Sequence, residues 1–247
     1  MRRVRVYRVS SLVIRQRDLG EADRVVILYT AERGKLSAVA KGVKRGRSKL
    51  AGGLQLFSHA QVQLAAGRSL EVATQVQPIE LFYRLREEMS RYAYACYVAE
   101  LLDNLVDEGG NDGAVFDLLL ATFRALDAGA DPPTVVHAFE LKLLSRLGYG
   151  PEVSNCVSCT AAVGTGKVGF SVAQGGVICG RCLPTHRALA LGPAALRAMR
   201  EMVELPVEQL AARRLSSSAR DELERILRAF VDYQLSRPLR TVRFLAR

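Results

Sequence analysis

The sequence has no tryptophan and three histidines, His59, His137 and His186, among 247 residues. That leaves little material for general acid–base chemistry, for which histidine is the commonest agent near neutral pH. The G-x-S-x-G and H-E-x-x-H motifs are missing too, as is a paired-carboxylate motif. No apolar run approaches the ~20 residues of a transmembrane helix; Tyr92 to Ala99 is broken at once by Glu100. The basic start, MRRVRVYRVSSLVIR, lacks the apolar stretch of a signal peptide, because Ser10, Ser11 and Arg15 interrupt it. Apolar residues make up 49% and charged residues 24%, which excludes wholesale disorder. A cytoplasmic protein with no membrane partner is expected.

Acidic residues are scarce in one region. Residues 1–50 hold 14 of the 35 basic side chains and four of the 25 acids, Asp18, Glu21, Asp23 and Glu32, so the whole net charge of +10 arises there. A single-sign field of this kind concentrates polyanions, and nucleic acid is the expected partner. An anionic membrane is disfavoured because no long amphipathic helix accompanies the charge.

Two halves follow different periods. From residue 4 to about 78 the pattern is that of strands. Val4–Ile14 opens; Val25–Tyr29 and Leu36–Ala40 form a hairpin about Glu32–Lys35; Gln61–Leu64 and Leu70–Val76 alternate with period two. Five short strands suit a small closed barrel, either an OB-fold or an SH3-like one. Beyond Pro78 the period becomes helical. Glu87–Val106 is apolar on nearly all faces, and Val115–Leu126 follows. Pro132-Pro133-Thr134 opens a third helix that Gly148 closes, and Pro193–Val203 and Ser218–Leu235 complete the set, with Ser218 and Asp221 as N-cap and N3. The expected class is α+β, with a domain over 1–80 and a helical domain over 81–247.

Cys156-Val157-Ser158-Cys159 and Cys179-Gly180-Arg181-Cys182 are two C-x2-C pairs 19 residues apart, the spacing of a zinc module, here at about 154–185. A two-residue gap lets both thiolates of a pair reach one ion at ~2.3 Å, and two pairs complete a tetrahedron with no place for a reactive water. A structural Zn2+ held by Cys156, Cys159, Cys179 and Cys182 is expected. Disulfides do not suit the expected compartment. His186 is a reserve ligand, and Cys96 reads as a small core residue. Gly164-Thr165-Gly166-Lys167 fails as a phosphate loop, since Ala161 and Val168 stand at positions that motif fixes, and reads as a hairpin turn.

Lys41–Gly53, KGVKRGRSKLAGG, joins the third and fourth strands with five cations and no acid. It is expected to hang from the barrel as a mobile, phosphate-attracting loop, with strongly salt-dependent binding. The DNA-binding set is Arg15, Arg17, Arg24, Arg33, Lys35, Lys41, Lys44, Arg45, Arg47 and Lys49. Tyr7, Tyr29 and Phe57 are the barrel's few stacking candidates. The clusters Asp103/Asp107/Glu108 and Asp221/Glu222/Glu224 have helical spacing and read as solvated faces. The residues therefore point to a binding protein and not an enzyme. A metal-dependent nuclease and an RNA-binding, ribosome-associated OB protein are the alternatives.

The chain resembles the RecO family of bacterial recombination mediators, nearly end to end. The resemblance is carried by Ala40–Phe57 (AKGVKRGRSKLAGGLQLF), Gly67–Val72 (GRSLEV), Phe139–Cys156 (FELKLLSRLGYGPEVSNC) and Leu239–Leu245 (LRTVRFL). The family's usual Q-P-F reads Gln55-Leu56-Phe57 here. The resemblance implies an N-terminal OB-fold and a helical domain bearing the zinc module, although some members lack the cysteines. It further implies binding of single- and double-stranded DNA, annealing of complementary strands and, with RecR, loading of RecA onto DNA in repair, without ATP. In the family the acidic, Phe-ended tail of the single-stranded-DNA-binding protein docks on the helical domain. Here that points to helix 134–147, with His137 and Lys142 facing the tail's carboxylates. A cytoplasmic, nucleoid-associated location follows.

Overall fold

Alternation of small and β-branched side chains closes the first part of the chain on itself. Strands β1 (Val6–Leu19), β2 (Asp23–Thr30), β3 (Gly34–Ala40), β4 (His59–Ala65) and β5 (Glu71–Glu80) form a closed barrel in the order β1-β2-β3-β5-β4. All neighbours are antiparallel except β3 and β5, whose short parallel pairing matches Ala38 with Glu71 and Val39 with Val72. This is the strand order of an OB-fold, and closure removes the free edges that would invite aggregation. Inward residues such as Val9, Val13, Val26, Leu28, Ala38, Val62 and Leu64 fill the interior. The computed structural model describes residues 6–67, 69–110, 112–164, 166–235 and 237–245. Arg2, Arg3 and Arg5 of the basic region, Arg68 of GRSLEV and Thr165 of the phosphate-loop-like stretch lie outside the described residues.

Helices α1 (Tyr83–Glu87), α2 (Met89–Leu105) and α3 (Gly113–Ala128) follow the barrel. The opening turn of α2 departs from the expectation of a helix buried all round. Met89 is 81% exposed, and burial starts further along, at Ala95, Tyr97 and Val98. Phe57 is wholly core and meets Tyr92 and Phe123 edge-on, with ring centroids 5.7 and 5.3 Å away. Two compact units result, Met1–Asp127 with Thr241–Arg247, and Ala128–Arg240. β5 ends at Glu80, inside the stretch where the period changes, whereas the units divide at residue 127. Burial of one face of each helix, which periodicity does not assign to a partner, sets that division.

The second unit starts with α4 (Pro132–Arg146), capped by Asp131, whose carboxylate accepts from the Thr134 amide. Gly148, at φ +84°, ends it as expected, in a left-handed conformation that a side chain would strain. Strands β6 (Val168–Ser171), β7 (Gly176–Cys179) and β8 (Leu189–Ala190) form a small sheet in the order β7-β6-β8. The β6–β7 turn lies at residues 172–175. Gly164–Lys167 therefore precedes the hairpin instead of forming its turn, because β6 starts only at Val168. Helices α5 (Pro193–Glu204), α6 (Val207–Leu210) and α7 (Ser217–Gln234) complete the unit, and Phe170 of β6 meets Phe230 of α7 at 5.3 Å. The cap of α7 is Ser216 and not Ser218: Ser216 is extended, and its hydroxyl accepts from the Ala219 amide. The short α8 (Val242–Leu245) returns to the first unit, where Glu100 of α2 accepts from the amide and hydroxyl of Thr241. Among the described residues no helix is long and apolar enough to cross a membrane.

Candidate nucleic-acid interface and metal centre

The segment between β3 and β4 is anchored, which corrects the expectation of a loop hanging free. Val43 and Leu54 belong to the barrel core, and Leu50, Ala51 and Leu56 pack against it. The Lys44 amide donates to Ala22 O at 3.0 Å, the Gly42 amide to Asp23 Oδ1 at 2.7 Å and the Phe57 amide to Val13 O at 2.8 Å. Gly53 presses against the strand below: a Cβ there would lie 2.4 Å from a Val76 methyl. The apolar residues interleaved with the cations give the segment its own share of the core, and that is why it is ordered.

The ten expected DNA-binding cations separate into distinct environments. Arg17, Lys41, Arg45, Arg47 and Lys49 are exposed, with no acidic partner among the described residues. They gather at one end of the barrel, since Asp18 pairs with Arg24 and Arg24 with Ala40 across the three strands. Arg24 and Lys44 share that end but bracket Asp18 at 2.9 and 3.1 Å. Hydrogen bonds from these two cations hold the Asp18 carboxyl below the usual carboxylate range. Arg33 and Lys35 lie at the far end of the β2–β3 hairpin, where Thr30 pairs with Gly34. The Arg33 guanidinium stands 4.0 Å over the Tyr7 ring.

Lys35 is a correction to the expected set. It is 9% exposed, and its amine donates to Asp103 O at 2.6 Å and faces the Asp103 carboxylate at 3.3 Å. Arg15 reaches the same carboxylate at 3.0 Å. Asp103 is therefore a part-buried counter-ion and not part of a solvated face, whereas Asp107 and Glu108 are exposed as expected, Glu108 accepting from the Ser37 hydroxyl. The helical spacing of these acids was legible in the sequence, but the strand they face was not. Tyr29 is fully buried and Tyr7 partly so, so neither offers an open stacking platform.

The four cysteines come together. Their sulfurs all lie within 4.8 Å of one another, and Cys159 Sγ is 3.7 Å from Cys179 Sγ. Ligands ~2.3 Å from a tetrahedral ion stand ~3.8 Å apart, so the spacing fits a thiolate-bound metal. Burial pushes the Cys156 thiol up, but amides of Cys179, Cys159 and Ser158 outweigh it and bring the group down to about 6. At Cys182 the Ser158 hydroxyl lowers the pKa, yet the neighbouring sulfurs and burial raise it to about 11. Four thiolates crowded in this way repel one another, and a divalent cation among them removes that repulsion. Among the described residues this is the one group of three or more His, Cys, Asp or Glu side chains placed to hold a metal. His186 is not in it; its Nε2 lies 2.8 Å from the Ser158 hydroxyl. Cys96 is half-buried on α2, with its thiol pushed up by burial.

Helix α4 does not present the expected docking pair. His137 is 5% exposed, and its Nδ1 lies 2.9 Å from Glu140, while the Lys142 amine donates to Val203 O at 3.0 Å. Both are turned inward because α4 is buried on most of its faces. A surface that the sequence did not disclose lies elsewhere in the second unit. Arg197, Arg213 and Arg214 ring a cleft of about 340 Å3 floored by Met202, Leu210 and Leu215, with Glu201 in its wall paired to Arg213. These residues come from α5, α6 and the segment after it, so no single motif announces them.

Residues 1–82 match the family model for the N-terminal part of recombination protein O, and residues 86–243 match the one for its C-terminal part. The chain belongs to the RecO family. Three relatives named DNA repair protein RecO align over nearly all of it. That of Roseiflexus sp. (strain RS-1) is 40% identical over 98% of this chain and 86% of its own length. That of Symbiobacterium thermophilum is 39% identical over 97% and 96%. That of Pelotomaculum thermopropionicum is 34% identical over 99% and 95%. The anchored basic segment and the four clustered cysteines are thus features of a RecO-family chain.

Proposed function

We propose that this RecO-family protein is a DNA-binding recombination mediator in repair, without a catalytic site of its own. It binds single- and double-stranded DNA through the basic end of the barrel and anneals complementary strands by neutralising both at once. With RecR it helps to load RecA onto single-stranded DNA. The observation that supports this reading is the set of five exposed cations, Arg17, Lys41, Arg45, Arg47 and Lys49, without acidic partners among the described residues and on an anchored backbone. A backbone already held in place loses little further freedom on meeting phosphate, and each contact releases counter-ions.

In this reading residues 1–80 form the DNA-binding module and 81–247 the part that meets protein partners. Cys156, Cys159, Cys179 and Cys182 hold a structural Zn2+. The acidic, Phe-ended tail of the single-stranded-DNA-binding protein docks in the cleft of Arg197 and Arg214, whose guanidinium groups take its carboxylates, while Arg213 at the same cleft is already paired with Glu201. The protein works in the cytoplasm, at the nucleoid.

The deciding experiment titrates salt against binding of a labelled single strand, for the wild type and an Arg45→Gln/Arg47→Gln/Lys49→Gln variant. A steep wild-type slope that falls in the variant, with faster strand pairing and intact strand length in Mg2+, is expected. Equal slopes overturn the role of the segment; shortened strands favour a nuclease; preference for structured RNA at equal salt favours the ribosome-associated alternative.

A further inference from the structure

The basic end of the barrel carries one carboxylate in the midst of its cations. Asp18 stands opposite Arg24 in the β1–β2 register, and its side chain is 59% exposed. Its two oxygens are used separately. Oδ1 accepts from Arg24 Nε at 2.9 Å, and Oδ2 accepts from Lys44 Nζ at 3.1 Å. The cations come from different parts of the chain, Arg24 from β2 and Lys44 from the segment after β3. Ion pairs this exposed add little to stability, so a competing anion can displace the carboxylate at small cost to the fold.

Contacts that do not involve Asp18 hold both cations in position. Arg24 Nη1 also donates to Gln16 Oε1 at 3.3 Å, and the Gln16 amide is itself tied to Leu54 O. The Lys44 amide donates to Ala22 O at 3.0 Å and the Gly42 amide to Asp23 Oδ1 at 2.7 Å, which fixes the turn that carries Lys44. Arg24 and the backbone of Lys44 therefore keep their places when the carboxylate between them is removed. Together they are a preorganised seat for an anion.

The pattern of donors selects that anion. Asp18 offers two oxygens, each taking one cation, and a single negative charge. The two non-bridging oxygens of a phosphodiester offer the same. Exposed Arg17, Lys41 and Arg45 at this end add to the positive field. Of the other acids here, Asp23 is engaged by Gly42, and Glu21 is exposed in the β1–β2 turn with no ion-pair partner among the described residues.

We propose that Arg24 and Lys44 form a seat for one backbone phosphate of bound DNA, and that Asp18 fills it as a built-in competitor that limits affinity. The inference rests on the DNA-binding reading and adds to it a residue that works against binding. Such a brake suits a protein that has to give up the strands it pairs.

The test compares the wild type, Asp18→Asn and Glu21→Gln for binding of a labelled oligothymidylate over a range of salt concentrations, with each variant checked by thermal melting. Asp18→Asn is expected to bind about tenfold more tightly at low salt. Its salt slope should steepen by about 0.7, the value of one phosphate contact on a single strand. Glu21→Gln makes the same change in net charge in the neighbouring turn but frees no cation, so it keeps the wild-type slope. Adding Arg24→Gln and Lys44→Gln to Asp18→Asn takes the gain away. An Asp18→Asn protein that binds like the wild type, a Glu21→Gln protein that gains as much, or a gain that survives the loss of Arg24 and Lys44 overturns the phosphate seat alone. No binding by any of these proteins at low salt overturns the DNA-binding reading together with it.

Discussion

The two compact units solve the same problem, closing a small sheet, in opposite ways. The barrel does so with its own strands: every edge is paired, and a continuous apolar interior runs from Val9 to Leu64. The sheet of the second unit has strands of four, four and two residues, too few to hold together unaided. It is kept in place by Phe170 against Phe230 and, at its β7 end, by the cysteine cluster that includes Cys179. Backbone pairing thus closes the barrel, while the small sheet leans on side-chain contacts and on a cysteine cluster that could hold a metal. Surface charge divides likewise: some of the barrel's cations are held by carboxylates and others stand exposed, and position in the barrel decides which.

The largest expected effect tests the dependence of the second unit on its cluster. Cys156→Ser should abolish stoichiometric zinc and remove on the order of 5 kcal/mol, lowering Tm by about 10–20 °C. DNA affinity should change much less. Metal analysis, melting curves and binding measured together check this, and a larger loss in affinity than in stability would reverse the contrast between the units.

Lys35→Gln probes the anchoring class of cation. It should cost about 2 kcal/mol, since Asp103 keeps Arg15 but loses its buried partner. The salt slope of DNA binding should stay as in the wild type. A lower slope without loss of stability, from denaturant melts and salt titrations, would return Lys35 to the ligand class.

For the free cations, replacing Arg45, Arg47 and Lys49 by Gln should lower the salt slope on single strands by about 2, at ~0.7 per contact. Adding Lys44→Gln should contribute less than a further full contact, because Lys44 is already spent on Asp18. Fluorescence titrations at several salt concentrations separate the two.

The smallest effect concerns acid. The bidentate Arg124 contact, opposed by burial and aided by His59, holds the Glu80 carboxyl below its ordinary value of 4.5. A depressed folded-state pKa means stabilisation that is present above the unfolded value and lost as pH falls through the folded one. Arg124→Gln should move acid unfolding to higher pH, by less than ~1 kcal/mol for so exposed a pair. Circular dichroism against pH tests this, and an unchanged acid limb would remove Glu80 from the barrel's supports.

Much of this was legible in the residues because it rests on local rules. The β-branched apolar run Val25–Tyr29 and period two over Gln61–Leu64 announced strands, Pro132 and Gly148 bracketed α4, and the cysteine spacing announced a cluster. The strand from Val4 was expected to stop at Ile14, whereas β1 runs to Leu19 because pairing with β2 continues to Asp23. That extension places Arg17 beside the basic segment. Spacing could not show that Lys35 would be buried on Asp103, nor that His137 would turn inward, since both depend on which element packs alongside.

The sequence by itself determined that basic charge concentrates in residues 1–50, that four cysteines stand at metal-ligand spacing and that strand gives way to helix, since charge totals, spacing and periodicity survive without a fold. Tertiary structure alone decided which cations remain free, where the units divide and that Arg24 and Lys44 meet on Asp18. The reason is physical: a charge acts according to its nearest counter-charge and its burial, and residues distant along the chain set both.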